Sequence, residues 1–410
     1  MLSLGKKRIL ICLFCFLLIG ALLCLQILPK KNIAVLSSDQ RDSSWNNQAA
    51  AKYLLASPLN FTGLSAQSAV LIDAESGCIL YEHQADLPLP MASTTKIMTA
   101  LCALDLADID DVITVDKKAV GIEGSSIYLK EGEQLTLLDL LYALLLASAN
   151  DAAAAIAIGT AGSVEKFAAY MNEKAAQLQL SNTSFENPHG LHEEQHYTTA
   201  HDLALIARQL LCHPILKTIV STPKIHLPST NQSPARVLVN HNKLLRTYEG
   251  AIGVKTGFTK RSGRCLVSAA ERQGLTLIAV TLNAPDDWQD HTRLLDAGFE
   301  AYESRLLCAS EGFSQPIPII NGREDYVLVH NRNEASITLP RTNIAIDCHV
   351  ELPRFLYAGI SAGESVGRLV YTGDIDGDGQ KEVLAVVDLC AMYSVPKQEN
   401  RSLWKRLLSK

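Results

Sequence analysis

Three short stretches late in the first three hundred residues constrain the fold more than any other feature. Residues 253–259, 264–270 and 275–282 have the composition of strands, and short turns containing Gly263 and Gly274 join them. Connections that short leave no room for a crossover, so these strands are antiparallel neighbours. Far upstream, 68–73 and 78–81 flank a Glu75-Ser76-Gly77 turn and read as a β-hairpin. Between the two the period changes. Residues 93–106, 135–146 and 151–158 are strongly apolar at helical spacing, and Thr199-x-x-Asp202 resembles a helix start leading into 203–207. An early hairpin, a block of helices and a late meander predict an α+β domain whose single sheet is assembled from both of its ends. Beyond about 305 the chain is rich in Val and Ile and strand-like, which predicts a second, all-β domain over 305–395. No internal repeat is visible.

The N-terminus sets the expected compartment. Lys6, Lys7 and Arg8 precede an uninterrupted apolar run over 9–25 that extends nearly to 28. About twenty helical residues span the roughly 30 Å hydrocarbon core of a bilayer. The basic flank favours an N-in orientation, so everything downstream is expected outside the cytoplasm. A retained signal-anchor over 1–31 is favoured over a cleaved signal peptide, because the nearest small-x-small site, Val35-Leu36-Ser37, lies late. Residues 32–63 are polar and irregular and read as a linker, leaving 64–304 as the main domain. The net charge of -6 and the absence of a long basic run argue against nucleic acid as a partner. Three of the ten cysteines, Cys12, Cys15 and Cys24, sit in the apolar segment, where Cys12-x-x-Cys15 reads as packing. The other seven are odd in number and cannot all pair within one chain.

Three motifs carry candidate chemistry. Ser93-Thr94-Thr95-Lys96 puts a hydroxyl and an amine at i, i+3, on one helix face, where the amine can take the hydroxyl proton. The spacing alone says little, since Ser3/Lys6, Ser163/Lys166, Ser221/Lys224, Ser394/Lys397 and Ser402/Lys405 share it. What separates Ser93 is the apolar helix it opens, with Ile97, Met98 and Leu101. Burial there desolvates Lys96 and lowers its pKa towards use as a base. Ser148-Ala149-Asn150 is wedged between two apolar helices. A cap on the second helix by Ser148, Asn150 or Asp151 is expected alongside any function, and Ser44/Asn46 and Ser229/Asn231 are decoys of the same spacing. Lys255-Thr256-Gly257 is the one Lys-Thr-Gly in the chain, on an expected strand where a glycine admits close approach of a ligand. The order of the three motifs, separated by 55 and then 107 residues, is far more specific than any one of them.

Together these motifs resemble the active-site set of serine penicillin-binding proteins, and within them the low-molecular-mass D-alanyl-D-alanine carboxypeptidases. Residues 126–133, 187–192 and 240–245 read as family segments, and the resemblance covers roughly 66–300 and, more loosely, 305–395. It implies a penicillin-binding/β-lactamase-like transpeptidase fold: an antiparallel sheet flanked by helices, a helical subdomain and a small all-β C-terminal domain. It makes Ser93 the acylating nucleophile and Lys96 its base. Ser148 relays the leaving-group proton, and Asn150 holds the substrate amide. Lys255 brings positive charge to the substrate carboxylate, Thr256 donates a hydrogen bond to it, and the Gly257–Phe258 edge pairs with the peptide. The N–H groups of Ser93 and Phe258 form the oxyanion hole. The implied substrate is a peptidoglycan stem peptide ending in D-Ala-D-Ala, with β-lactams as covalent inhibitors and no cofactor. The same residues would serve a DD-endopeptidase or transpeptidase, and a non-hydrolytic wall- or β-lactam-binding protein is the alternative from another class.

Competing signals are weaker. His192-Glu-Glu-Gln-His196 matches H-E-x-x-H, yet Pro188 and Gly190 before it and the helix start near Thr199 after it predict a loop, and no metal site is assigned. No G-x-S-x-G is present, and no E-x-x-L-N follows Asn150, so slow β-lactam turnover is expected. The Asp374–Gly379 segment starts like a calcium loop but would place Ala385 where a bidentate Glu is needed, so a hairpin turn is expected. Residues 396–410 combine basic side chains with Leu403, Trp404, Leu407 and Leu408. They read either as an amphipathic membrane-surface helix or as a frayed basic tail.

Overall fold

The computed structural model describes residue 59 and residues 62–375 and 377–398; the expected membrane segment, most of the linker and the chain beyond 398 lie outside the described residues. Strands β1 (Ser68–Asp73) and β2 (Ile79–His83) form the early hairpin. Strands β3 (Ala251–Thr259), β4 (Gly263–Arg272) and β5 (Leu275–Leu282) form the meander. β1 lies antiparallel to β5, with Ser68 opposite Leu282 and Asp73 opposite Leu277. The sheet order is therefore β2-β1-β5-β4-β3, built from both ends of the domain as the sequence predicts.

Both faces of this sheet are covered, which explains why its central strands are apolar almost throughout. Side chains alternate across a strand. Val70, Ile72, Ile278 and Val280 pack into the large core formed with helices α1 (Lys96–Leu106), α2 (Leu137–Leu145), α3 (Asn150–Ala161), α4 (Val164–Gln177), α5 (Ala200–Leu211) and α6 (Pro214–Ser221). Ala69, Leu71, Leu277 and Ala279 face the other way, against Leu294, Leu295 and Phe299 of α7 (Asp287–Ala301). Helices α4 and α7 have no long apolar run. Each buries a single stripe, Phe167, Ala168, Met171 and Ala175 in α4, so periodicity rather than hydrophobicity marks them.

Two local expectations are corrected. The stretch 93–106 is not one helix, because Ala92–Thr95 forms a 3-10 turn and the α-helix begins at Lys96. Side chains three apart nearly eclipse in a 3-10 turn, which brings Ser93 and Lys96 together more tightly than α geometry would. The start of α3 carries no side-chain cap: Ala149 is its N-cap residue, and the Asn150 and Asp151 side chains are engaged elsewhere. Thr199, by contrast, does cap α5, accepting from the Asp202 N–H.

After α7 the described chain is all β. Strand β6 (Tyr302–Cys308) pairs with β9 (Ala335–Pro340). Strands β10 (Ile346–Glu351), β11 (Ser365–Gly373), β12 (Glu382–Ala391), β8 (Tyr326–His330) and β7 (Ser314–Ile320) lie in that order in a second sheet, closed by Leu356–Tyr357. Between β11 and β12 the Asp374 carboxylate accepts from the Gly377 and Gly379 N–H groups, tying the loop to itself as a turn.

Candidate active site

The three motifs come from three elements that meet at one cleft of about 560 Å³. Ser93 stands on the 3-10 turn, Ser148 in the connection from α2 to α3, and Thr256, Gly257 and Phe258 on β3, which is the edge of the main sheet; all five line the cleft. Ser148 holds a left-handed backbone conformation (φ +58), sparsely populated by non-glycine residues. Gly257 is needed for its lack of a side chain, since a Cβ there would stand 3.1 Å from both Met91 O and Ser93 N.

Lys96 lies directly behind Ser93 and is fully buried. Its Nζ is 2.9 Å from Ser93 Oγ, 2.7 Å from Asn150 Oδ1 and 2.5 Å from the His189 carbonyl. Burial, and then the charge of Lys255, hold its ammonium well below the ordinary lysine range, with Asp151 opposing. The donor count then fixes the direction of the proton. Asn150 Oδ1 and the His189 carbonyl can only accept, so when the amine is neutral they take its two N–H bonds. The lone pair is left facing Ser93 Oγ, ready to receive its proton.

Asn150 is engaged within the protein at both ends of its amide. Its Oδ1 accepts from Lys96 while its Nδ2 donates to the Glu123 carbonyl, so both polar ends hold the protein together. Asn150 thereby orients the Lys96 amine. Lys255 is also buried, its Nζ donating to the Thr256 carbonyl at 2.8 Å, and burial lowers its pKa to about 7. The cations that line the cleft itself are Lys243, Arg246 and Arg264, the last 3.6 Å from the Asp287 carboxylate.

Several contributors lie outside the three motifs. The 187–190 loop supplies the His189 carbonyl to Lys96 and the Pro188 carbonyl to Thr99. Asn187 folds it, accepting from the His189 and Gly190 N–H groups. Asp151 binds the 126–129 loop beside the cleft, accepting from the Ser126 hydroxyl and the Ile127 and Leu129 N–H groups. The H-E-x-x-H segment is irregular, as expected. His192 is exposed while His196 is buried, with Nδ1 accepting from the Glu186 N–H and Nε2 2.7 Å from Thr95 Oγ1. The decoy Ser163/Lys166 is a helix cap: Ser163 accepts from the Lys166 N–H.

Comparison with known proteins agrees with this geometry. Residues 55–286 match a family model described as D-alanyl-D-alanine carboxypeptidase. The chain is 32% identical over 334 residues to the D-alanyl-D-alanine carboxypeptidase DacF of Bacillus subtilis, covering 79% of this chain and 86% of that one. The solved structure of penicillin binding protein 5 from Haemophilus influenzae superposes with a TM-score of 0.66 at 27% identity, over 83% of this chain and all of the other. The Streptomyces K15 DD-transpeptidase gives a TM-score of 0.56 at 32% identity, over 59% of this chain and 99% of that one.

Proposed function

This chain belongs to the D-alanyl-D-alanine carboxypeptidase family; it is a serine hydrolase of that activity, and we propose that Ser93 carries the reaction on peptidoglycan stem peptides. Neutral Lys96 takes the Ser93 proton as Oγ attacks the carbonyl between the two D-alanines. The tetrahedral oxyanion lies between the Ser93 and Phe258 N–H groups, a pair whose loss of one member typically lowers kcat by about 10²–10³. Collapse breaks the C–N bond, Ser148 relays the proton held by Lys96 to the leaving amine so that both end as they began, and D-alanine departs. Water then hydrolyses the Ser93 ester and returns the enzyme. Thr256 hydrogen-bonds the terminal carboxylate, with Lys255 next to it in the strand and Lys243, Arg246 and Arg264 making the cleft positive. A β-lactam acylates Ser93 by the same attack.

The observation that carries this reading is the three-way contact of Lys96 Nζ with Ser93 Oγ, Asn150 Oδ1 and the His189 carbonyl. A pure binding protein has no use for a buried amine whose lone pair is aimed at a hydroxyl. We further propose that the enzyme acts at the outer face of the cell membrane, held by the apolar segment over 9–28; the sequence of that segment and its basic flank support this. The test is release of D-alanine from a diacetyl-Lys-D-Ala-D-Ala peptide. Wild type is expected to release it, in EDTA as well, and Ser93→Ala to lose release. A wild type that transfers the acyl group only to an amine acceptor would instead make the chain a transpeptidase, as the similarity to the Streptomyces enzyme allows.

A further inference from the structure

The H-E-x-x-H segment that attracts attention as a metal motif leads somewhere else. His196 is buried, and because its Nδ1 accepts from the Glu186 N–H, its proton resides on Nε2. That N–H donates to Thr95 Oγ1 at 2.7 Å, and the Thr95 hydroxyl in turn donates to the Ala92 carbonyl at 2.8 Å. The Ala92 carbonyl belongs to the same peptide plane as the Ser93 N–H. A trans peptide points its C=O and N–H in opposite directions, so whatever fixes the one aims the other. Gly190 presses on the same carbonyl: its φ is +87, and a Cβ there would stand 1.9 Å from Ala92 O. Ala92 itself is held at φ +49, a conformation a non-glycine residue keeps only when its surroundings impose it. On the far side of the plane, Ser93 N faces Gly257, where a Cβ would stand only 3.1 Å from it.

We propose that His196 and Thr95 are positioning residues that pre-set the oxyanion hole: the chain His196 Nε2–H to Thr95 Oγ1–H to Ala92 O locks the Ala92–Ser93 peptide plane so that the Ser93 N–H points into the cleft. Neither side chain lines the cleft, so neither touches substrate. The inference rests on the Ser93 acylation reading, and it predicts a defect confined to the transition state. A hydrogen-bond donor that has lost its aim leaves ground-state binding intact while weakening the hold on the oxyanion.

The test uses the full chain with Thr95→Val, Thr95→Ser and His196→Ala. Thr95→Val removes only the hydroxyl and is expected to lower kcat for D-alanine release about 10–100-fold, less than the ~10²–10³ for outright loss of an oxyanion donor because the N–H remains but loses its aim, with KM within about twofold. His196→Ala is expected to fall between wild type and Thr95→Val, and Thr95→Ser to restore near-wild-type kcat. Affinity for a peptide boronic acid, whose adduct on Ser93 carries the tetrahedral charge, should fall by the same factor as kcat. The proposal is overturned if Thr95→Val retains kcat and boronate affinity and loses only thermal stability, or if KM moves while kcat does not. Penicillin acylation rates of the same variants separate the two readings. A wild type that releases no D-alanine overturns the carboxypeptidase assignment, while slowed acylation in Thr95→Val, rescued in Thr95→Ser, still supports the relay.

Discussion

At the scale of single residues, the site works by removing charge from where lysine normally carries it. Lys96 has only two acceptor-only neighbours, so its neutral form is complete and its lone pair has one direction to face. General bases positioned in this way typically contribute about 10²–10⁴ in rate, so Lys96→Gln is expected to lower D-alanine release by at least that range while the fold survives, as read by circular dichroism. Lys255 gives a second residue-scale prediction. Burial holds it at about 7 in the free protein, and an incoming carboxylate stabilises its charged form and raises that value. Between the two values binding takes up a proton. Calorimetry of the peptide on Ser93→Ala at pH 8 should therefore give heats that depend on the ionisation enthalpy of the buffer; identical heats in two such buffers would place the substrate carboxylate beyond the reach of Lys255.

At the scale of elements, the cleft has a roof that is fastened by one buried ion pair. Glu133 is fully buried and accepts from Arg236 at 2.7 and 3.0 Å, from the Thr230 hydroxyl and from the Lys130 N–H. This joins the 123–133 loop, which contributes Ser125 to the cleft, to the hairpin of Lys224–Leu227 and Arg236–Val239, which contributes Val239. Burial pushes the Glu133 carboxyl up, but hydrogen bonds from Arg236, Thr230 and Lys130 outweigh it and hold the group at about 2. Removing the cation strands a buried charge, so Arg236→Ala is expected to destabilise by roughly 3–5 kcal/mol in urea unfolding. A loss under about 1 kcal/mol would mean the roof is held by other contacts. How much of this is legible in the sequence depends on what an element presents there. The order of the three motifs and the short turns of the meander are covalent facts, so they can be read directly. The partners of Lys96 cannot: one is a backbone carbonyl at His189, and the rotamer that turns Asn150 inward is set by the Glu123 carbonyl, a contact made only in the folded chain. Helices α4 and α7 do not stand out as apolar runs because each buries one narrow stripe.

At the scale of the whole molecule, three histidines are kept uncharged by burial. Burial above all lowers His189 to about 3, His196 to about 4 and His291 to about 3. His291 sits between Ser268 and Thr281 behind the sheet, with contacts of 2.5 and 2.9 Å. Each native value lies below the unfolded value near 6.5, so the unfolded chain binds more protons as pH drops, and the stability these groups contribute is present above about 6.5 and is lost on the way down to about 3. The melting temperature should accordingly fall between pH 7 and pH 5, before most carboxylates titrate; an unchanged value at pH 5 would contradict the buried neutral assignment. The second part of the chain is tied to the first through Tyr302, which is buried in the core beneath α7, and through Arg341, which donates to the Phe299 carbonyl. The central claim, that Ser93 is a nucleophile served by neutral Lys96, is tested most directly by mass spectrometry of the protein after brief exposure to a penicillin at pH 7. One equivalent of acyl group on the peptide containing Ser93, lost in Ser93→Ala and strongly slowed in Lys96→Gln, is the predicted result. Acylation elsewhere, or labelling of Ser93 that proceeds at the same rate without Lys96, would contradict it.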